Sequence, residues 1–162
     1  MRERTACFTG HRIIPQTHMQ ILEQKLDEVI ATLIKEGIVF FGTGMADGFD
    51  LLAAQAVLRA RDVNPDVKLI AVIPCANQCA GWDEKDKAIY QEVLYAADKQ
   101  KYVSTRPYFD GCMRQRNLHL VSNSSVCIAY KTHEGSGTSQ TVRFAREQSL
   151  RIINLAELVA SR

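Results

Sequence analysis

Short apolar runs alternate with longer amphipathic stretches along the whole sequence, and this alternation limits what the chain can fold into. The spacing predicts strands over Thr5–Thr9, Ile38–Phe41, Val67–Ile73, Lys101–Ser104, Ser125–Tyr130 and Arg151–Asn154. Between them it predicts helices over Gln16–Glu36, Asp50–Arg61, Asp83–Ala97, Met113–Asn123 and Thr138–Gln148. The first helix shows the pattern best: Ile21, Leu22, Leu26, Val29, Ile30, Leu33 and Ile34 recur at helical spacing, and Gly37 stands where a C-terminal cap glycine belongs. Strands alternating with helices imply βαβ units and a parallel sheet. Such sheets are buried on both faces, so their strands read as continuous apolar runs, as Val67–Ile73 and Val126–Tyr130 do. The expected fold is one Rossmann-like α/β domain over residues 1–162, a three-layer sandwich with a mostly parallel sheet and helices on both faces. Ligands of such folds bind beyond the carboxyl ends of the strands.

The net charge of +2 carries no concentrated basic tract, which argues against a dedicated duplex-DNA binder. The five cysteines (Cys7, Cys75, Cys79, Cys112 and Cys127) follow no signal-peptide pattern, so a reducing cytoplasm with free thiols is the expected setting. Cys75 and Cys79 have no second pair at ligand spacing and the histidines show no H-E-x-x-H, so no metal site is expected. No apolar stretch is long enough to span a bilayer. Neither a G-x-S-x-G elbow nor a G-x-x-x-x-G-K-[ST] loop occurs.

Three predicted strand ends carry residues suited to an anionic ligand. After the first strand, Thr9, Gly10, His11 and Arg12 offer a hydroxyl, room for close backbone approach and a guanidinium fork. After the second come Gly42, Thr43 and Gly44, with Gly48 and Asp50 beyond, where backbone N–H groups and a helix N-terminus point at an anion. Asp50 either caps that helix or bonds a ribose hydroxyl. After the fifth, His133-Glu134-Gly135-Ser136-Gly137-Thr138 forms a second cradle of glycines and hydroxyls, or a plain turn capped by Thr138. Arg114 and Asn117 share a helix face by their i, i+3 spacing, whereas Arg116 is expected to be solvated or paired elsewhere. Trp82 either stacks on a base or covers the sheet edge, and Cys7 and Cys127 read as small core fillers.

These residues together resemble the YpsA-like family of the SLOG superfamily, which also holds the DprA and Lonely Guy proteins. Gly44-Met45-Ala46-Asp47-Gly48-Phe49-Asp50 is similar to the family's G-x-A-x-G-x-D pattern. Arg116-Asn117, the Val126–Tyr130 strand and Gly135-Ser136-Gly137-Thr138 resemble the downstream half shared with DprA, and Thr9-Gly10-His11-Arg12 points to YpsA among these cousins. The resemblance implies a Rossmann-like fold holding a nucleotide-related ligand at these loops. Lonely Guy phosphoribohydrolases carry a P-G-G-x-G-T turn followed by a catalytic glutamate. Here both the proline and that glutamate are missing, with Ser139-Gln140-Thr141 after the turn.

The leading expectation is binding or sensing of a phosphate-bearing, nucleotide-derived ligand such as ADP-ribose, an NAD-like molecule or a nucleoside phosphate. Its site would comprise Thr9, Gly10, His11, Arg12, Gly42, Thr43, Gly44, Asp50, Arg114, Asn117, Gly135, Ser136, Gly137 and Thr138. No other cofactor is fixed by the residues. The alternative is a nucleoside 5′-monophosphate phosphoribohydrolase with Asp50 or Glu134 as its carboxylate. Single-stranded DNA binding of the DprA type is a further alternative, and nucleic acid is the less favoured partner. The resemblance also makes a homodimer an expectation, with Phe109, Met113 and Leu120 as either interface or core.

Overall fold

The computed structural model describes residues 1–160. The described residues form six strands and six α-helices in strict alternation after a short 3-10 turn at Arg2–Arg4. The strands are β1 (Thr5–Gly10), β2 (Phe40–Thr43), β3 (Lys68–Ile73), β4 (Lys99–Tyr102), β5 (Val126–Tyr130) and β6 (Arg151–Asn154). The helices are α1 (Gln16–Lys35), α2 (Phe49–Val63), α3 (Glu84–Ala96), α4 (Cys112–Ser122), α5 (Gly137–Glu147) and α6 (Leu155–Ala160). All strands are parallel, in the order β4-β3-β2-β1-β5-β6. The chain first builds outward from β1 to β4, then returns to pair β5 with the other side of β1. The strand order therefore reverses between β1 and β5, which is where an open parallel sheet leaves a crevice at its carboxyl edge.

Alternation along the strands sorts side chains into two cores. Ala6, Phe8, Phe41, Leu69, Ala71, Ile73, Ile128 and Tyr130 face one layer, where α1, α2, α3 and α6 supply Leu22, Leu26, Ile30, Leu33, Val57, Val93 and Leu155. Cys7, Val72 and Cys127 face the other, with Leu120 and Val121 of α4 and Ala145 of α5. Cys7 and Cys127 are register partners on neighbouring strands and fully buried, free thiols filling space where α4 and α5 lie close. Trp82 packs edge-on against Tyr90 at 5.4 Å, beside the larger core. No described helix is long and apolar enough to cross a membrane.

Local sequence explains where elements stop. The Gly37 N–H donates to Ile34 O and the Ile38 N–H to Leu33 O, with Gly37 at φ +104°. This double closure needs a left-handed residue, which glycine supplies. Ile38, predicted to open the second strand, is instead spent on this cap, and the strand begins at Phe40. Gly42 lies inside that strand because a Cβ there would sit 3.0 Å from Leu120 of α4. The fourth strand starts two residues earlier than its pattern suggested, since Lys99–Tyr102 is an exposed, mostly polar edge. At β5, Ser136 and Ser139 form a reciprocal cap. Ser139 N–H donates to Ser136 Oγ at 3.2 Å, and Ser136 N–H donates to Ser139 Oγ at 3.0 Å.

Candidate functional site

A cleft of about 330 Å³ opens at the carboxyl edge of the sheet, at the β1/β5 reversal. Four segments wall it. Phe8, Thr9, Gly10, His11 and Arg12 come from the end of β1, and Ala46 and Asp50 from the β2–α2 corner. Met113, Arg116 and Asn117 come from α4, and Ser136, Gly137 and Thr138 from the start of α5. Gly137 and Thr138 are the first two residues of α5, so their amides have no intrahelical acceptor, and the helix adds the positive end of its dipole. Beyond its chain neighbours and the backbone of its own helix, no atom lies within 4 Å of where a Gly137 Cβ would stand, so that side of the corner is open.

Arg116 forms the floor. It is 6% exposed, its Nε donates to Asn117 Oδ1 at 2.8 Å, and its Nη1 donates to the Gly44 carbonyl. Burial pulls its pKa down and the Asp50 carboxylate pushes back. Its Nη2 also contacts Met113 Sδ at 3.8 Å. A guanidinium has five N–H donors, so three engaged ones still leave capacity for a ligand. Arg12 stands at the rim, 57% exposed, with Nε 3.3 Å from Asp47 Oδ1, near enough for an ion pair but out of line for a hydrogen bond.

Asp50 is the one carboxylate among the described residues lining the cleft. It is the second residue of α2, whose N-cap is Gly48, so it does not cap that helix in the expected way. Its Oδ2 accepts from the Ala46 N–H at 3.3 Å, while Oδ1 has no hydrogen-bond partner. Burial pushes its pKa up to about 6, opposed chiefly by Arg116.

His11 braces the cleft from the side. Its Nε2 accepts from the Thr132 N–H at 2.9 Å, and its ring stacks on His133 with centroids 4.0 Å apart. Burial lowers its pKa first, then His133 and Lys131, so the imidazole stays neutral and keeps its acceptor. His11 thus holds the segment that leads into the α5 corner.

Several sequence expectations take a different place. Gly42, Thr43 and Gly44 do not line the cleft. The amides of their corner are used internally: Met45 N–H donates to Thr43 Oγ1 at 3.2 Å and Ala46 N–H to Asp50. The Gly44 carbonyl accepts from Arg116 and from Gln78 Nε2 at 2.8 Å. Gly42 instead lines a hollow of about 390 Å³ on the open face of β2 and β3. Arg114 is exposed and lies over the Phe144 ring at 5.2 Å, while Arg116, expected elsewhere, takes the inward place. The signal was present: Cys112, Arg116, Asn117, Leu120 and Val121 form the buried stripe of α4. Asn117 lines the cleft as expected. Gly135 is exposed at φ +79° outside the cleft, and Ser136, not Thr138, caps α5. Glu134 is exposed, its carboxylate held by Lys131 Nζ at 2.7 Å and its pKa lowered by that bond, so it does not face the cleft. Met113 lines the cleft, Leu120 belongs to the smaller core, and Phe109 lies under Arg106. Among the described residues no cluster of three or more His, Cys, Asp or Glu is placed to hold a metal ion.

A family model described as the YspA SLOG family matches residues 14–153. The chain belongs to the YspA SLOG family. The match begins just after the Thr9–Arg12 segment, so that wall of the cleft lies outside it. Among relatives of this SLOG chain is a UPF0398 protein of Halalkalibacterium halodurans, 26% identical over 129 residues covering 78% of this chain and 68% of the relative. An SPbeta prophage-derived protein of Bacillus subtilis is 29% identical over 141 residues, covering 80% and 82%. The UPF0398 protein YpsA of Bacillus subtilis is 24% identical over 132 residues, covering 78% and 73%. The matches span about two thirds of the first relatives' length, 68% and 65%. The fold is similar to DNA processing protein A of Streptococcus pneumoniae, at TM-score 0.65 and 17% identity over 93% of this chain and 49% of that one. It is equally similar to that of Helicobacter pylori, described for its single-stranded DNA binding mode, at TM-score 0.65 and 20% identity over 91% and 63%.

Proposed function

We propose that the cleft binds a phosphate-bearing, nucleotide-derived ligand: ADP-ribose, an NAD-like molecule or a nucleoside phosphate. One observation carries this reading. Gly137 and Thr138, whose amides have no intrahelical acceptor, line the same hollow as the buried Arg116 and the rim Arg12. A phosphate at that corner takes backbone N–H bonds, the helix dipole and two guanidinium partners at once. The volume of about 330 Å³ suits a ligand of nucleotide size, at the small end of the usual ~300–1,000 Å³ range. The protein then acts as a binding or sensing module.

The test is a thermal-shift and calorimetry series with AMP, ADP-ribose and NAD. A ligand at 100-fold excess over Kd stabilises the fold by ~2.7 kcal/mol. Gly137→Val should keep the fold and abolish the shift by crowding the amides. Unchanged affinity in that variant contradicts the placement.

Single-stranded DNA is the second reading, supported by the Helicobacter pylori neighbour and by a phosphate corner that also fits a strand's backbone. Retention of an oligonucleotide that falls steeply with salt would favour it.

A further inference from the structure

Resting on the nucleotide reading above, we infer that Asp50 receives a hydroxyl of the ligand's ribose, so that the cleft selects ribosyl phosphates over their deoxy counterparts. Arg12, Arg116 and the α5 amides all favour an anion, yet the same cleft holds a carboxylate. That carboxylate repels a phosphate and is costly to bury, as its pKa of about 6 records. Its local duty, receiving the Ala46 N–H, uses Oδ2 alone, and an asparagine side-chain oxygen would serve as well. Oδ1 is left with no partner and is itself shut off from solvent, in a residue only 5% exposed, so it meets a ligand only when the carboxyl turns. Buried polar atoms are almost always paired, so an orphan oxygen in a cleft wall marks where a donor arrives with a ligand.

The donor must be uncharged and sit away from the phosphate. An acceptor-only carboxylate takes hydroxyl or amine hydrogens, and the hydroxyls of a ribose are the donors a nucleotide carries nearest its phosphate. The flat torsion of an aspartate carboxyl lets it turn toward such a hydroxyl. The bond is charge-assisted and short of competition from water, so its loss should be felt strongly. Arg116 from α4, Arg12 from the β1 loop and Asp47 and the Ala46 amide from the β2 corner are the groups that set the charge of Asp50. Arg116 and Arg12 keep it ionised near neutral pH despite its burial.

The experiment compares AMP with 2′,3′-dideoxy-AMP by calorimetry on the full chain. At pH 7.5 the wild-type protein should bind AMP at least tenfold more tightly. In Asp50→Asn the two affinities should come within threefold, through weaker AMP binding, with dideoxy-AMP little changed. If that variant does not fold, the wild-type protein supplies the same answer. Lowering the pH to 5 protonates Asp50 and should narrow the wild-type ratio, while the phosphate titrates alike for both ligands. Equal wild-type affinities at pH 7.5, or a ratio unmoved by both Asp50→Asn and pH, overturn the hydroxyl contact and leave the phosphate reading standing. No heat from either nucleotide at millimolar concentration overturns both.

Discussion

The corner after β2 and the corner after β5 both set glycines between a buried strand and a helix, yet the first is filled and the second is open. At the β2 corner a Cβ on Gly44 would lie 2.6 Å from Arg116 Nη1, and one on Gly48 would lie 2.2 Å from the Arg12 carbonyl oxygen. Glycine there is a matter of packing: neighbouring groups occupy the space and use the amides. At the β5 corner nothing stands within 4 Å of a Cβ on Gly135 or Gly137. Gly137 there keeps the cleft surface clear, and Gly135 supplies a left-handed turn at φ +79° outside it. Similar letters thus perform opposite tasks, and only what packs against them tells the two apart.

Substitution is the direct way to break this contrast. Gly48→Ala should be the most damaging change, because it combines a backbone collision with φ +80°. Left-handed strain and overpacking together should cost about 3 kcal/mol or more in urea unfolding. An alanine tolerated there would mean the β2 corner is looser than described.

Asp50 sharpens the comparison through pH. Its pKa rises from 3.8 unfolded to about 6 folded, so the folded state holds the proton more tightly. The stabilisation is complete below the unfolded value and lost as pH climbs through the folded one. Over roughly pH 4 to 6 this removes about 3 kcal/mol, at 1.36 kcal/mol per unit. Asp50→Asn lacks this fall, so its stability relative to wild type should rise by that amount across the window. Parallel stability curves for the two proteins would contradict the buried charge.

Gly44→Ala should follow, at about 2 kcal/mol, since Arg116 must shift away from the Gly44 carbonyl. Ligand affinity should drop with it, because Arg116 is the cleft floor. The smallest effect belongs to Gly137→Ala, within about 0.5 kcal/mol of wild type, as for a surface change that meets nothing. A large loss there would show that the β5 corner is also packed.

Much of the scaffold was legible because parallel strands are buried on both faces and leave unbroken apolar runs. Where that signal failed, a competing demand had taken the residues. Ile38 closes the α1 cap instead of opening β2. The edge strand β4 is polar and exposed, and the α6 helix is one short turn and a half that no periodicity announces. In the site, the β1 and β5 loops and Asn117 were legible from residue type and position. The i, i+3 spacing favours Arg114, but the buried stripe of Cys112, Leu120 and Val121 turns Arg116 inward instead. The closure of the β2 corner was not legible, since it depends on Arg116 and Gln78 arriving from 72 and 34 residues away.

The most direct measurement is an amide NMR titration of the full chain with AMP. The Gly137 and Thr138 resonances should move most, while that of Met45, already bonded to Thr43 Oγ1, should stay nearly fixed. Movement at Met45 with none at Gly137 and Thr138 would place the phosphate at the wrong corner and contradict the account.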